Sequence, residues 1–211
     1  MSAGSANATS ISAHANATGA TAYKLPAVDG TSNHVLKTDG SGNLSWTSQG
    51  SGGTLDGLSD AKSGGTNFTN SIIIGHQSTG TLNGALRNIG VGIGTFSALT
   101  SGDDNICVGH QSGNALTSGT NNTLIGSQAG KALTVDVDNT FIGKGAGINS
   151  GGLVSLSANN FIGVDAGSNA AGIHNIYIGA GTGYLQTNSS NNVFVGNYAG
   201  GGSGCKMNEN V

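Results

Sequence analysis

The segment NTLIGSQA at residues 122–129 decides the fold, because the chain writes it again and again. Its other copies are SIIIGHQS (71–78), GVGIGTFS (90–97), NICVGHQS (105–112), NTFIGKGA (139–146), NNFIGVDA (159–166), NIYIGAGT (175–182) and NVFVGNYA (192–199). The copies align on Gly75, Gly94, Gly109, Gly126, Gly143, Gly163, Gly179 and Gly196, at intervals of 19, 15, 17, 17, 20, 16 and 17 residues. A single short strand per copy has nothing to pair with until the next copy stacks on it, so a period near 17 predicts a solenoid. The expected fold class is all-β: a repetitive β-solenoid or β-roll of about eight coils over residues 70–200.

Position by position the repeat says more. The residue before each glycine (Ile74, Ile93, Val108, Ile125, Ile142, Ile162, Ile178, Val195) is β-branched throughout, as strands favour. The residue two before it (Ile73, Gly92, Cys107, Leu124, Phe141, Phe161, Tyr177, Phe194) points to the opposite side of the strand and is also apolar in seven copies. A lone solenoid buries only one side. Leaving Leu124, Phe141, Phe161, Tyr177 and Phe194 in water would forfeit about 1.5–3 kcal/mol each, a sum comparable with the stability of a whole domain. These five are therefore expected to pack against another copy of the chain, in a closed symmetric oligomer. Three residues after the glycine stands a small side chain, Ser78, Ser97, Ser112, Ala129, Ala146, Ala166, Thr182 or Ala199, which implies a tight corner. Asn105, Asn122, Asn139, Asn159, Asn175 and Asn192, four before the glycine, read as an asparagine ladder that satisfies backbone groups. The stretches Thr117–Asn121 and Thr187–Asn191 are expected to bulge outward as polar loops.

Composition narrows the function. Of 211 residues 39 are glycine and one is proline, and charged residues are only 8% against a usual ~25%. Seven basic residues against ten acidic ones give a net charge of -3, and the basic ones are scattered, which excludes the clustered footprint nucleic-acid binding needs. No apolar run approaches the ~20 residues of a membrane span. The N-terminal stretch lacks the basic start and apolar core of a secretion signal. Two cysteines, Cys107 and Cys205, unpaired with one another, fit a reducing cytosol as the place of synthesis.

Outside the repeats, residues 1–22 are a small-residue tract with little to bury, expected to be a flexible arm. Residues 23–69 are expected to hold a hairpin, Val35–Thr38 and Leu44–Thr47 around Asp39–Asn43, followed by a glycine-rich joint at Gly50–Gly53 and a connector. The hairpin carries the only tryptophan, Trp46, and a tail covers 201–211.

NTLIGSQAGKAL and GTFSALTSGDDNICVG resemble the NTAIGxxAL-type repeats of bacteriophage tail fibres and related trimeric surface fibres. YKLPAVDGTSNHVLKTDGSGNLSW is similar to an N-proximal module of phage fibre proteins, and LSDAKSGGTNFTNSIIIGH to stretches of marine phage structural proteins. The resemblance covers about residues 23–200. It implies a homotrimeric virion component, attached to other virion proteins through its N-terminal region. The threefold number comes from the resemblance alone.

Chemistry is sparse. IYIGAGTG, with Gly179, Gly181 and Gly183, imitates a dinucleotide-binding loop, but it is one copy of the repeat and no acidic residue follows about 20 positions later. No cofactor is expected. His76 and His110 occupy matching positions two coils apart and are weak metal candidates, since a trimer would gather each into a ring of three imidazoles. Asp103, Asp104, Asp136 and Asp138 could supply the carboxylates of a glycan-cleaving site, yet they read better as solvated loops. The expected function is a non-enzymatic virion structural protein, a short trimeric tail fibre or appendage that touches host cell-surface glycan through its inter-strand loops. The alternatives are a capsid decoration or cement protein and a glycan depolymerase spike.

Overall fold

The computed structural model describes residues 24–32, 34–48, 60–76, 78–150, 156–187 and 189–201. The expected arm at 1–22, the joint at 50–53, the tail beyond 201 and Cys205 lie outside the described residues. The chain divides into two units, Met1–Gly52 and Gly53–Val211.

In the first unit β1 (His34–Thr38) pairs antiparallel with β2 (Leu44–Ser48). The turn between them is closed by Asp39, whose carboxylate accepts from the amides of Ser41 and Asn43 and from the Asn43 side chain. Those donors hold the Asp39 carboxyl below its ordinary range. Trp46 donates its indole N–H to the Val28 carbonyl at 2.9 Å. Its ring leaves no room for a side chain at Gly30, where a Cβ would lie 2.7 Å from the indole.

The second unit is the β-solenoid. Its strands are β3 (Ala61–Ser63), β4 (Phe68–Thr69), β5 (Ile72–Ile74), β6 (Ala85–Leu86), β7 (Ile89–Val91), β8 (Ile106–Val108), β9 (Thr123–Ile125), β10 (Thr140–Ile142), β11 (Asn160–Ile162), β12 (Ile176–Ile178) and β13 (Val193–Val195). β5 and β7 to β13 stack in parallel, one per coil, and enclose about seven turns. β3 closes the N-terminal edge antiparallel to β5, and the Gly75 amide donates to the Asp60 carbonyl beyond it. Residues 60–69 thus belong to the solenoid rather than to a connector: Ala61 and Phe68 are core residues. A minor parallel pair, β4 with β6, lies off the main sheet.

The register corrects the second copy of the repeat. β7 pairs Gly90 with Ile73 and Cys107, so the glycine in line with Gly75 and Gly109 is Gly92, not Gly94. Counted on Gly92, the first four intervals are all 17 residues. The small corner residue of that coil is then Thr95, which is buried, rather than Ser97. The stretch 117–121 is correspondingly a regular wall, not a bulge: the Thr117 amide and hydroxyl both donate to the Thr134 carbonyl, and Gly119 is buried against the next coil.

The anchor glycine is a steric requirement. At Gly109, φ is +131° and a Cβ would stand 2.5 Å from the Gly126 carbonyl oxygen of the next coil, an approach only a hydrogen atom permits.

Inside the coils, Leu124, Phe141, Phe161, Tyr177 and Phe194 fill the solenoid's own core; the first four have no exposed surface and Phe194 has 6%. This reverses the expectation that they face another chain. The strand alternates as expected, but the residue flanking the glycine points outward and the aromatic one points in. The parallel ladder stacks the rings face to face, with centroids 4.6, 4.7 and 5.2 Å apart from Phe141 to Phe194. That spacing is the strand spacing itself.

In most layers a large core residue is matched by a smaller one. Coils with a modest strand residue, such as Cys107 and Leu124, carry a buried leucine nine residues on, Leu116 and Leu133. Where the strand residue is Phe141 or Phe161, that partner shrinks to Ser150 or Ala170, whereas beside Tyr177 it is the buried Gln186. The second coil exchanges roles altogether. Phe96 enters the core from the corner and the strand position is Gly90, whose Cβ would lie 2.9 Å from the Phe96 ring. In the fifth coil the same two positions read Phe141 and Gly147, the reverse assignment.

The asparagine ladder is present and longer than read: Asn88 joins Asn105, Asn122, Asn139, Asn159, Asn175 and Asn192, all buried. Each Oδ1 up to Asn175 accepts both the backbone amide and the side-chain amide of the asparagine in the next coil, at 2.9–3.1 Å. The residue just before each asparagine is left-handed, from Arg87 (φ 55°) through Asp104, Asn121, Asp138, Ala158 and His174 to Asn191 (φ 59°).

Candidate functional site

The most conspicuous surface is the outward face of the main sheet. Side chains at alternate strand positions emerge there in two rows. One row runs Ile74, Val91, Val108, Ile125, Ile142, Ile162, Ile178, Val195; the other runs Ile72, Ile89, Ile106, Thr123, Thr140, Asn160, Ile176, Val193. The first row is β-branched without interruption, and its members from Ile125 to Ile178 are each 36–39% exposed. The second is apolar except at its centre. Within a row neighbours are about 4.8 Å apart and the rows about 7 Å apart, a flat apolar lattice with no charged residue in it. A soluble fold rarely leaves a contiguous patch of this kind uncovered.

The sequence reading had the alternation right and the sides exchanged. The decisive signal is the corner: in the last six coils a glycine four residues after the anchor makes room for the strand residue of its own coil, as for the rings at Gly147, Gly167 and Gly183. A residue whose bulk is matched by a corner glycine must point into the coil.

The histidines do not converge. His76 places its Nε2 2.6 Å from the Thr95 carbonyl of the next coil and its Nδ1 accepts from the Ser78 amide, so both ring nitrogens are engaged by the scaffold. His110 is exposed, about 10 Å along the stack at two strand spacings. Among the described residues no group of three or more His, Cys, Asp or Glu side chains could hold a metal ion.

The aspartates serve the scaffold. Asp103 accepts from the Leu86 amide, and Asp104 forms a two-pronged ion pair with Arg87 at 2.6 and 2.7 Å. The guanidinium holds the Asp104 carboxyl below its ordinary range. Buried Asp136 accepts from the Thr134 and Leu156 amides, and Asp138 from the Asn121 side chain. Gly179, Gly181 and Gly183 of IYIGAGTG each occupy a packed corner of the coil, against Gly196, Tyr198 and Tyr177 respectively, with no helix following. Cys107 is a buried free thiol whose pKa burial pushes up, which makes it a core residue rather than a nucleophile.

No helix among the described residues is long and apolar enough to cross a membrane. No protein-family model, curated protein or solved structure matches the chain.

Proposed function

We propose that the chain is a non-enzymatic structural protein of a bacteriophage particle, a short homotrimeric tail fibre or appendage whose subunits pack through the outward face of the solenoid sheet. The observation that carries this reading is the uninterrupted row from Ile74 to Val195. It takes over the packing role first assigned to the aromatic row, because a surface that the chain cannot cover by itself calls for another copy. Removing about a dozen half-exposed aliphatic side chains from water contributes about 1 kcal/mol each. The sum is on the order of the ~4–15 kcal/mol that association costs in lost freedom, and three converging sheets bury the face on every subunit at once. The phage assignment rests on the resemblance of the repeats and of residues 23–48. In this reading the N-terminal region attaches to other virion proteins, and the sides of the solenoid away from the axis meet host cell-surface glycan.

A capsid decoration protein is the second reading, favoured by the length of the stack. Eight strands at about 4.8 Å make a rod of only about 38 Å. Electron microscopy of the intact particle separates the two: density on the tail supports the fibre, and density spread over the head supports the decoration protein. Light scattering on the purified chain tests the assembly, where a trimer is expected and a stable monomer at micromolar concentration would sink both readings.

A further inference from the structure

The solenoid hides its aromatic residues with two exceptions. Phe68, Phe96, Phe141, Phe161, Tyr177 and Phe194 are all buried, whereas Tyr184 and Tyr198 are 43% and 74% exposed. Both line the same cleft of about 620 Å³ on the corner side of the last four coils, together with Asn149, Asp165, Ser168 and Asn169. That volume falls within the roughly 300–1,000 Å³ of small-molecule clefts.

The cleft is built from repeat positions that elsewhere carry nothing comparable. Tyr198 occupies the second position after its anchor glycine, where the coils below have Gly181, Asp165 and Gly145. Its ring lies against Gly181, where a Cβ would stand 2.7 Å away, so the absence of a side chain there is what lets the ring settle along the corner. Tyr198 holds φ at 58°, the left-handed conformation this position takes along the repeat, as at Gln111, Gln128 and Asp165; what sets it apart is a ring that stays 74% exposed. The polar rim is orientated: Asn149 donates through Nδ2 to Asn169 Oδ1 at 3.1 Å, and Asn169 Nδ2 donates to Ser168 Oγ at 3.2 Å. Among the described residues no donor reaches the Asn149 side-chain oxygen or the Asp165 carboxylate.

We propose that this cleft is a binding subsite for a neutral oligosaccharide. Exposed rings offer a surface to the C–H faces of pyranose units, while a carboxylate and carboxamides accept and donate to vicinal hydroxyls. Among the described residues the one charge on the cleft wall is the negative Asp165, and none of those lining it is a lysine or arginine, so uronic, sialylated or phosphorylated sugars are disfavoured. The inference deepens the host-surface reading above and rests on it only for the source of the sugar. It moves the contact from the inter-strand loops to the corners after the sheet.

The test is calorimetric titration of the full chain with cellohexaose, maltohexaose and chitohexaose, with sialyllactose as the acidic control. Saturable binding of at least one neutral hexamer is expected, weakened about tenfold or more by Tyr198→Ala and again by Tyr184→Ala, with circular dichroism unchanged. Asp165→Asn, which keeps one oxygen acceptor and removes the charge, is expected to weaken neutral binding and to narrow the preference for neutral over acidic sugar, read as the ratio of the two affinities. Failure of all three hexamers to bind at about 10 mM overturns the subsite, as does binding that Tyr198→Ala and Tyr184→Ala leave intact. Location of the protein on the particle is a separate measurement, so the subsite and the virion reading fail independently.

Discussion

The Tyr177 hydroxyl is buried and has no hydrogen-bond partner among the described residues, and burial pushes its pKa up. Desolvating a hydroxyl without compensation costs about 1–3 kcal/mol, and its removal leaves a ring of the same shape. Tyr177→Phe is therefore expected to raise stability by about 1 kcal/mol, read as a higher denaturant midpoint with an unchanged slope; a lower midpoint contradicts the assignment. Gly90 and Phe96 make a sharper case. Gly90→Phe alone forces a second ring into an occupied slot, and Phe96→Gly alone empties it, each expected to cost about 3 kcal/mol or more. Made together they recreate the arrangement of the fifth coil, Phe141 with Gly147, and most of the loss is expected to return. A double-mutant cycle by urea unfolding measures this coupling, and additive losses would show that the slot is not shared.

At the scale of the element the asparagine ladder is a cooperative device. Asn139 accepts two bonds from Asn159 and donates to Asn122 and to the carbonyls of Val137 and Leu156. Asn139→Ala strands the buried amide of Asn159, and a loss of about 2–4 kcal/mol is expected. Asn192 ends the ladder: its Oδ1 is buried and accepts from nothing among the described residues. Asn192→Ala removes only the donors to Asn175 and Ser190, so about half that loss is expected in the same thermal unfolding series. Equal losses at the two sites would argue that the rungs act independently. The ladder itself was legible in the sequence, because asparagine recurs at one position. Its seventh member, Asn88, was hidden by the two-residue slip that the glycines of GVGIG allowed.

For the whole molecule the two sides of one three-residue strand have opposite fates. Ile125→Asp with Ile142→Asp changes only the outward row, and the expected result is a folded chain that no longer assembles, seen as monomer mass by light scattering with an unchanged β-sheet spectrum. Leu124→Asp, one residue away, buries an unpaired carboxylate and is expected to unfold the chain. A trimer that survives the double substitution would remove the outward face from the interface. Two asymmetries also emerge only at this scale: β3 covers the N-terminal edge of the sheet, and both exposed aromatic residues of the solenoid collect beside its last coils.

The sequence by itself determined the solenoid, its period near 17, the glycine in every copy and the polar ladder, because each recurs at one position of the repeat. Tertiary structure alone decided which side of the strand is inside, that Gly92 rather than Gly94 carries the second coil, and that corners rather than loops form the cleft. The physical reason is that a strand's alternation separates two faces without saying which is covered. That choice belongs to residues six and nine positions further on, the corner glycines and the complementary leucines, which meet the strand only once the coil has closed.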